Sequence, residues 1–137
     1  GPATLTAVCR RAGSGANCRT PYSGWAGYTF MIVKSFNLAN QKAFLLGGTY
    51  DFAAHGLQGL VLNANIVYGW DAINPATGTD QPNWTEYDLT LDYRFAAKSW
   101  PAWAQPFWIR GRAAHVDMRS AGTIDDYRII VNYDWKF

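Results

Sequence analysis

The sequence predicts an all-β fold, an antiparallel transmembrane β-barrel of which this chain supplies about five to six strands. Three observations lead to this prediction. Apolar and polar residues alternate with a period of two in one segment after another, and aromatic residues concentrate at the segment ends. No apolar run approaches the roughly 20 residues of a membrane-spanning helix, whereas a barrel strand needs only about 9 to 11 residues.

The composition agrees with a membrane barrel and argues against several other classes. Charged residues make up 16% of the 137 residues and aromatic residues another 16%, including seven Trp. This is ample material for burial, so a disordered chain is excluded. The formal net charge of +2 gives no general electrostatic case for a nucleic-acid partner. Nothing in the sequence calls for a cofactor or a metal ion.

Five strands are clear, and a sixth precedes them. The early strand ends near Val8, and the others are predicted at about 43–52, 59–70, 85–95, 105–116 and 126–137. In the fourth of these six, Tyr87, Leu89 and Leu91 share a face opposite Asp88 and Asp92. The last strand has one apolar face and one polar face of the same kind. The apolar residues of this face are Ile129, Val131, Tyr133, Trp135 and Phe137.

The connectors and strand ends fit an outer-membrane barrel. The connector at 53–59 is short, 71–84 is long and rich in turn formers, 96–106 carries Trp and Pro, and 120–126 is polar. If the last strand ends on the periplasmic side, the long connectors fall outside. Aromatic residues then form two girdles, one at each membrane interface. The residues concerned are Tyr50, Phe52, Tyr93, Phe95, Trp135 and Phe137 at one rim and Tyr68, Trp70, Trp84 and Tyr87 at the other.

Five or six strands cannot close a barrel without leaving edges in lipid. The chain is therefore either a piece of a larger barrel or one of several associating copies, and we favour the piece. The remaining strands of the same barrel are then a partner, together with outer-membrane lipid and lipopolysaccharide. The implied location is the outer membrane of a bacterial cell.

Two cysteines, Cys9 and Cys18, flank the stretch RRAGSGAN. Its Gly, Ser and Asn residues make it flexible enough to close a small ring, and a secreted protein meets oxidising conditions. A disulfide between them is predicted, with two free thiols as the alternative. The pair has neither a second pair nor a nearby His, so it is not a zinc site.

Several segments together resemble the C-terminal third of the OprD-type porins, which are outer-membrane carboxylate channels. They are GYTFMIVKSFN (27–37), KAFLLGGTYDF (42–52), GLQGL (56–60) and DDYRIIVNY (125–133), in this order and at matching spacing. The resemblance implies that 1–137 is the C-terminal portion of one barrel domain of about eighteen strands. It also implies that 9–41 is a long external loop folding toward the pore.

The resemblance further implies passive, substrate-selective uptake of small carboxylate-bearing solutes along a basic inner wall. Arg110 and Arg112 are two apart on one strand and so point to one side, while Arg128 lies on the polar face of the next strand. A planar guanidinium suits a carboxylate because it can bind both oxygens. Arg94 and Lys136 are weaker candidates nearer the periplasmic mouth.

The arginines also need counter-charges, and a neighbouring strand offers Glu86, Asp88 and Asp92. Asp88 and Asp92 are therefore further candidates for the pore lining. Pairing with these acids alone is the alternative reading of the arginine row. The two readings are compatible, because a ladder arginine also needs a counter-charge.

The constriction loop departs from its relatives at one position. Lys34 and Ser35 fall in the loop motif, and Ser35 stands where relatives usually carry Asp. Residues 9–41 contain no Asp or Glu at all, and Arg10, Arg11, Arg19 and Lys34 make the stretch basic. We therefore expect a channel that prefers plain anions over zwitterionic or cationic amino acids.

Three alternatives remain to be weighed against the porin. A soluble antiparallel sandwich or barrel also alternates, and a secreted carbohydrate-binding module would use Trp and Tyr as a binding platform. An outer-membrane barrel enzyme would need a nucleophile and base, yet neither His55 nor His115 has triad or metal-site spacing. An enzyme is therefore not predicted.

Overall fold

The structure, a computed structural model, describes residues 1–18, 29, 31–95 and 100–134. Six antiparallel strands pair in sequence order to form one sheet. They are β1 (Ala3–Arg11), β2 (Lys42–Asp51), β3 (Leu60–Trp70), β4 (Trp84–Arg94), β5 (Phe107–Met118) and β6 (Gly122–Tyr133). Within the described residues, no helix is both long and apolar enough to cross a membrane.

The connectors divide the sheet into two ends. Residues 12–41, 71–83 and 119–121 join strands at one end, which we call the loop end. Residues 52–59 and 95–106 join them at the other, which we call the turn end. At the turn end, a 3-10 turn over Phe52–His55 follows β2, and the Asp51 side chain caps it by accepting the Ala53 N–H at 2.9 Å.

The all-β antiparallel prediction is confirmed, and the early strand proves to be a full member of the sheet. The last strand begins at Gly122, earlier than the start predicted near residue 126. A tight turn explains the difference, because Ser120 and Gly122 both have positive φ and Ala121 N–H donates to Met118 O. The polar residues read as connector therefore belong to a strand, in which Ile124 pairs with Val116.

The two faces of the sheet differ in what they carry. On the apolar face, large apolar side chains stay exposed across neighbouring strands, as expected for a surface that meets lipid. The opposite face, which we call the loop face, carries most of the charged strand residues and is partly covered by the preceding loop. The exposed members of the apolar face are Leu5, Phe44, Leu46, Ile66, Tyr68, Tyr87, Leu89, Leu91, Ile109, Tyr127, Ile129, Val131 and Tyr133.

A stretch of the β1–β2 connector packs on the loop face, and we call residues 31–41 the covering segment. Met31 and Phe36 join a buried cluster with Leu45, Val67 and Val116 of the sheet. Phe36 also lies against Trp84, with ring centroids 5.8 Å apart. The core of this chain thus sits between one sheet face and its own connector.

Gly69 of β3 leaves the space in which the Phe36 ring packs. A Cβ at this position would lie 2.6 Å from Phe36 Cδ1 and 2.8 Å from Gln41 Nε2, closer than side-chain packing allows. Only a residue without a side chain leaves room for the ring, which is 1% exposed.

We therefore expect Gly69→Ala to lower the free energy of unfolding by about 1–3 kcal/mol through overpacking under the covering segment. Urea unfolding of the full-length protein measures the change. Gly111→Ala is the control, because a Cβ there meets nothing within 4 Å. Equal effects of the two substitutions would contradict the packing of Phe36 over Gly69.

The predicted disulfide is not formed, since Cys9 and Cys18 are both free thiols. Cys9 pairs with Phe44 and shares the apolar face with it. Cys18 is tied to the covering segment instead, where its N–H donates to Asn37 O at 2.8 Å. The alternation of β1 thus turns Cys9 away from the loop that carries Cys18.

Candidate functional site

The three arginines predicted for the inner wall all lie on the loop face. Arg110 and Arg112 alternate with apolar-face residues along β5, and Arg128 on β6 stands directly across from Arg112. On the other side of β5, Asp92 is the partner of Arg110 and Thr90 is the partner of Arg112. Three adjacent strands therefore bring these three guanidiniums and the Asp92 carboxylate onto a small area of the loop face.

Arg110 is neutralised by Asp92. Its Nε and one terminal nitrogen donate to the two carboxylate oxygens, both at 2.6 Å. The side chains are 27% and 16% exposed, so this is a partly buried, bidentate pair. Of the acids predicted as counter-charges, Asp92 alone takes this role within the described residues.

Arg128 is also neutralised, by an acid that sequence reasoning did not single out. Asp126 lies two residues earlier on β6 and hence on the same face. Its two carboxylate oxygens accept from Arg128 Nε, at 2.8 Å, and from a terminal nitrogen. The spacing of two on a predicted strand was the available signal for this pair.

Arg112 differs from its two neighbours. Within the described residues it has no ion pair or hydrogen bond, and its Nε is buried without a partner. It also faces Arg128 directly, and like charges in that position are unfavourable. Arg112 is attracted electrostatically by Asp88 and Asp92 but contacts neither, so it is the one of these three arginines whose guanidinium makes no ion pair within the described residues.

The turn end of this row carries an aromatic platform. The guanidinium carbons of Arg94 and Arg110 lie 5.1 and 5.0 Å from the ring centroid of Trp108. The indole N–H of Trp108 approaches Asp134 Oδ1 at 3.4 Å, and Arg94 lies 3.9 Å from the same carboxylate. Arg94 therefore ends the row. Lys136, the other weak candidate, lies outside the described residues.

Glu86 and Asp88 do not pair with the arginines. Glu86 accepts the backbone N–H groups of Val33 at 2.7 Å and Lys34 at 2.8 Å, one on each oxygen. Asp88 Oδ2 accepts the N–H of Ile32 at 2.9 Å. Glu86 is 0% exposed and Asp88 is 7% exposed, so the covering segment conceals both carboxylates. The interpretation of Asp88 as an open pore-lining acid does not fit this burial.

Lys34 and Ser35, the residues predicted for the constriction loop, lie in the covering segment. Lys34 Nζ sits 5.6 Å from the Trp84 ring centroid, a cation–π distance. Ser35 O accepts the N–H of Asn37 at 2.8 Å in a tight turn. The segment therefore brings a positive side chain to the loop face. Its backbone amides donate hydrogen bonds to Glu86 and Asp88, the two nearest acids of the wall.

The histidines lie away from the arginine row. His55 Nε2 is 2.6 Å from the Tyr50 hydroxyl at the turn end, and His115 Nδ1 is 2.7 Å from Asp125 Oδ1 on the apolar face. Among the described residues, no group of three or more His, Cys, Asp or Glu side chains could hold a metal ion. Neither histidine therefore lies close to the row of arginines.

Comparisons with known proteins agree with this geometry. The profile of the outer membrane porin, OprD family, matches residues 22–137. Solved structures of Pseudomonas aeruginosa OpdK and OpdO are similar, with TM-scores of 0.83 and 0.80 and identities of 21% and 22%. Both are matched over 97% of this chain and 35% of theirs. No curated protein matches the sequence.

OpdH of the same bacterium is 26% identical, with a TM-score of 0.80 over 96% of this chain and 35% of its own. An outer-membrane porin is therefore the class that the sheet, its two faces and these matches define. The chain belongs to the OprD family of these porins, which are channels of the bacterial outer membrane. It spans about a third of the length of the solved relatives it matches.

Proposed function

We propose that the intact porin is a passive channel for small carboxylate-bearing solutes, and that Arg110, Arg112 and Arg128 guide them along its inner wall. The observation that carries this proposal is the state of Arg112. Its guanidinium has no acid partner in the described part of the chain, while those on both sides are already paired. A solute carboxylate could supply the missing charge and both oxygens of a bidentate contact.

The proposal takes the loop face as the lumen wall and the apolar face as the lipid surface. The covering segment supports this choice, because it lies on the loop face and leaves the apolar face bare. In this arrangement the loop end faces outward, and residues 12–41 form the external loop that narrows the pore, since 9–11, predicted as part of that loop, belong to β1. The chain is then the C-terminal portion of the barrel.

The charge of the constriction supports a preference for anions. Residues 9–41 carry no acid, and Lys34 brings a positive charge to the loop face. The two wall acids nearest the segment, Glu86 and Asp88, are buried under its amides and face no open space. Because a permeating ion would meet arginines without an opposing free acid, plain anions are favoured over cationic or zwitterionic solutes.

A solved relative agrees with this substrate class. The structure of Pseudomonas aeruginosa OpdK has been solved with vanillate, at 21% identity to this chain and a TM-score of 0.83 over 97% of it and 34% of OpdK. Vanillate is a small aromatic carboxylate. An aromatic carboxylate of this size is therefore the first solute to test.

Uptake into liposomes containing the intact porin tests the proposal. We expect benzoate to enter at least about tenfold faster than benzamide, which has the same shape without the charge. The reversal potential in planar bilayers should show a preference for chloride over potassium. A preference for cations, or equal uptake of the two aromatic solutes, would overturn the proposal.

A further inference from the structure

Two carboxylates of β4 receive three consecutive backbone amides of the covering segment. Ile32 N–H donates to Asp88, and the N–H groups of Val33 and Lys34 donate to the two oxygens of Glu86. The two acids are two residues apart, so they point to the same face of the strand. Successive amides that converge in this way form an anion-binding nest, and the wall supplies the anion.

The burial of these acids sets them apart from the others on the loop face. Asp92 and Asp126 form ion pairs with guanidiniums, whereas Glu86 and Asp88 form no ion pair among the described residues. Glu86 is fully buried with both oxygens bonded to amides. A carboxylate is costly to bury unless fixed donors replace its water, so these contacts connect the segment to the wall at one defined place.

Other contacts hold the segment at different points. Phe36 packs over Gly69 and against Trp84, and its carbonyl oxygen accepts a hydrogen bond from Arg10 at 3.1 Å. The turn at 32–34 also meets the wall through side chains, since Val33 packs against the buried cluster and Lys34 lies over the Trp84 ring. Within the described residues, its polar backbone contacts to the wall are those made with Glu86 and Asp88. The carboxylates therefore fix the backbone of the turn, in addition to this side-chain packing.

We propose that Glu86 and Asp88 are positioning residues that hold the turn at 32–34 against the wall and thereby set the bore and selectivity of the channel. This inference rests on the proposed function for its effect on permeation. The fixing of the turn at 32–34 does not depend on the proposed function and can be tested separately. The loop has Ser35 where relatives carry an acid. In this chain the acids lie on the wall instead, where they bind the backbone of the loop.

The test compares the intact porin with its Glu86→Gln/Asp88→Asn double variant, which preserves size but removes both carboxyl groups. The rate of trypsin cleavage after Lys34, measured by limited digestion, reports whether the turn is held against the wall. We expect cleavage at least about tenfold faster in the double variant, because the freed turn can enter the protease. Single-channel recordings should show conductance raised by about half or more, with larger open-channel noise.

Asp126→Asn is the matched control for charge, because it removes an acid from the same face without touching the covering segment. It should leave cleavage after Lys34 unchanged. Gel mobility of unheated samples confirms that each barrel is folded, and only folded protein is compared. Single Glu86→Asp, which retains the charge on a shorter side chain, should give intermediate cleavage.

The outcomes separate the two proposals. Wild-type cleavage and noise in the folded double variant would overturn the positioning role, as would equal effects of Asp126→Asn. If the porin conducts no anions, the proposed function fails, yet faster cleavage after Lys34 would still support the fixing of the turn. If anion selectivity persists while cleavage is unchanged, the positioning role alone fails.

Discussion

Replacing Arg112 by glutamine is expected to weaken retention of a carboxylate solute in the intact porin by roughly tenfold or more. A unit charge about 4–8 Å from a carboxylate at an effective dielectric constant near 20 contributes about 2–4 kcal/mol, and each 1.4 kcal/mol is about a factor of ten. Benzoate-induced block of single-channel current measures the retention. Benzoate flux at low concentration should fall with it.

The effect is assigned to Arg112 because its neighbours already have partners. Removing Arg110 would also release Asp92, and removing Arg128 would release Asp126, so each adds an exposed acid to the loop face. Arg112→Gln removes one positive charge without freeing an acid from a described ion pair. It also relieves the direct opposition to Arg128, so the barrel should fold at least as well.

Two controls distinguish the guanidinium row from general charge. Arg119→Gln makes the same change of charge on an exposed turn residue at the loop end and should alter benzoate block little. Arg112→Lys preserves the charge without the planar fork, so it should recover part of the retention. Equal loss in Arg119→Gln, or unaltered block in Arg112→Gln, would show that this row does not guide carboxylates.

The fold could be predicted from the sequence largely because alternation is a local signal. Along β4, Leu89 and Leu91 oppose Asp88 and Asp92, and this period needs no knowledge of the neighbours. The boundary of β6 was predicted too late because Thr123 and Asp125 look like connector residues. Their membership of the strand depends on pairing with β5, which is a property of the sheet and not of the segment.

The candidate site was predictable only in part. The arginines could be placed on one face by counting, and Asp92 follows from the pairing of β4 with β5. The contacts of Glu86 and Asp88 could not be predicted, because their donors are backbone amides more than 50 residues away. A backbone N–H carries no side-chain signature, and only the packing of Phe36 over Gly69 brings the segment there.

A charge on the apolar face is expected to have the largest effect on stability. Leu5 lies on β1 opposite Gly48, near the middle of the strands, and its side chain is 84% exposed. Leu5→Arg should lower the free energy of unfolding of the intact porin in lipid by about 2–4 kcal/mol, because a guanidinium near the bilayer midplane loses its hydration. Reversible denaturant unfolding in liposomes measures this change.

The adjacent residue provides the control, since Thr6 lies on the same strand but on the loop face. Thr6→Arg introduces the same side chain into the proposed aqueous lumen and should change the free energy of unfolding by less than about 1 kcal/mol. Because Leu5 and Thr6 are adjacent on the same strand, differences in edge position and strand propensity contribute little to the comparison. If Leu5→Arg and Thr6→Arg were equally tolerated, the assignment of lipid to the apolar face would be wrong, and the lumen assignment of Arg112 would be lost with it.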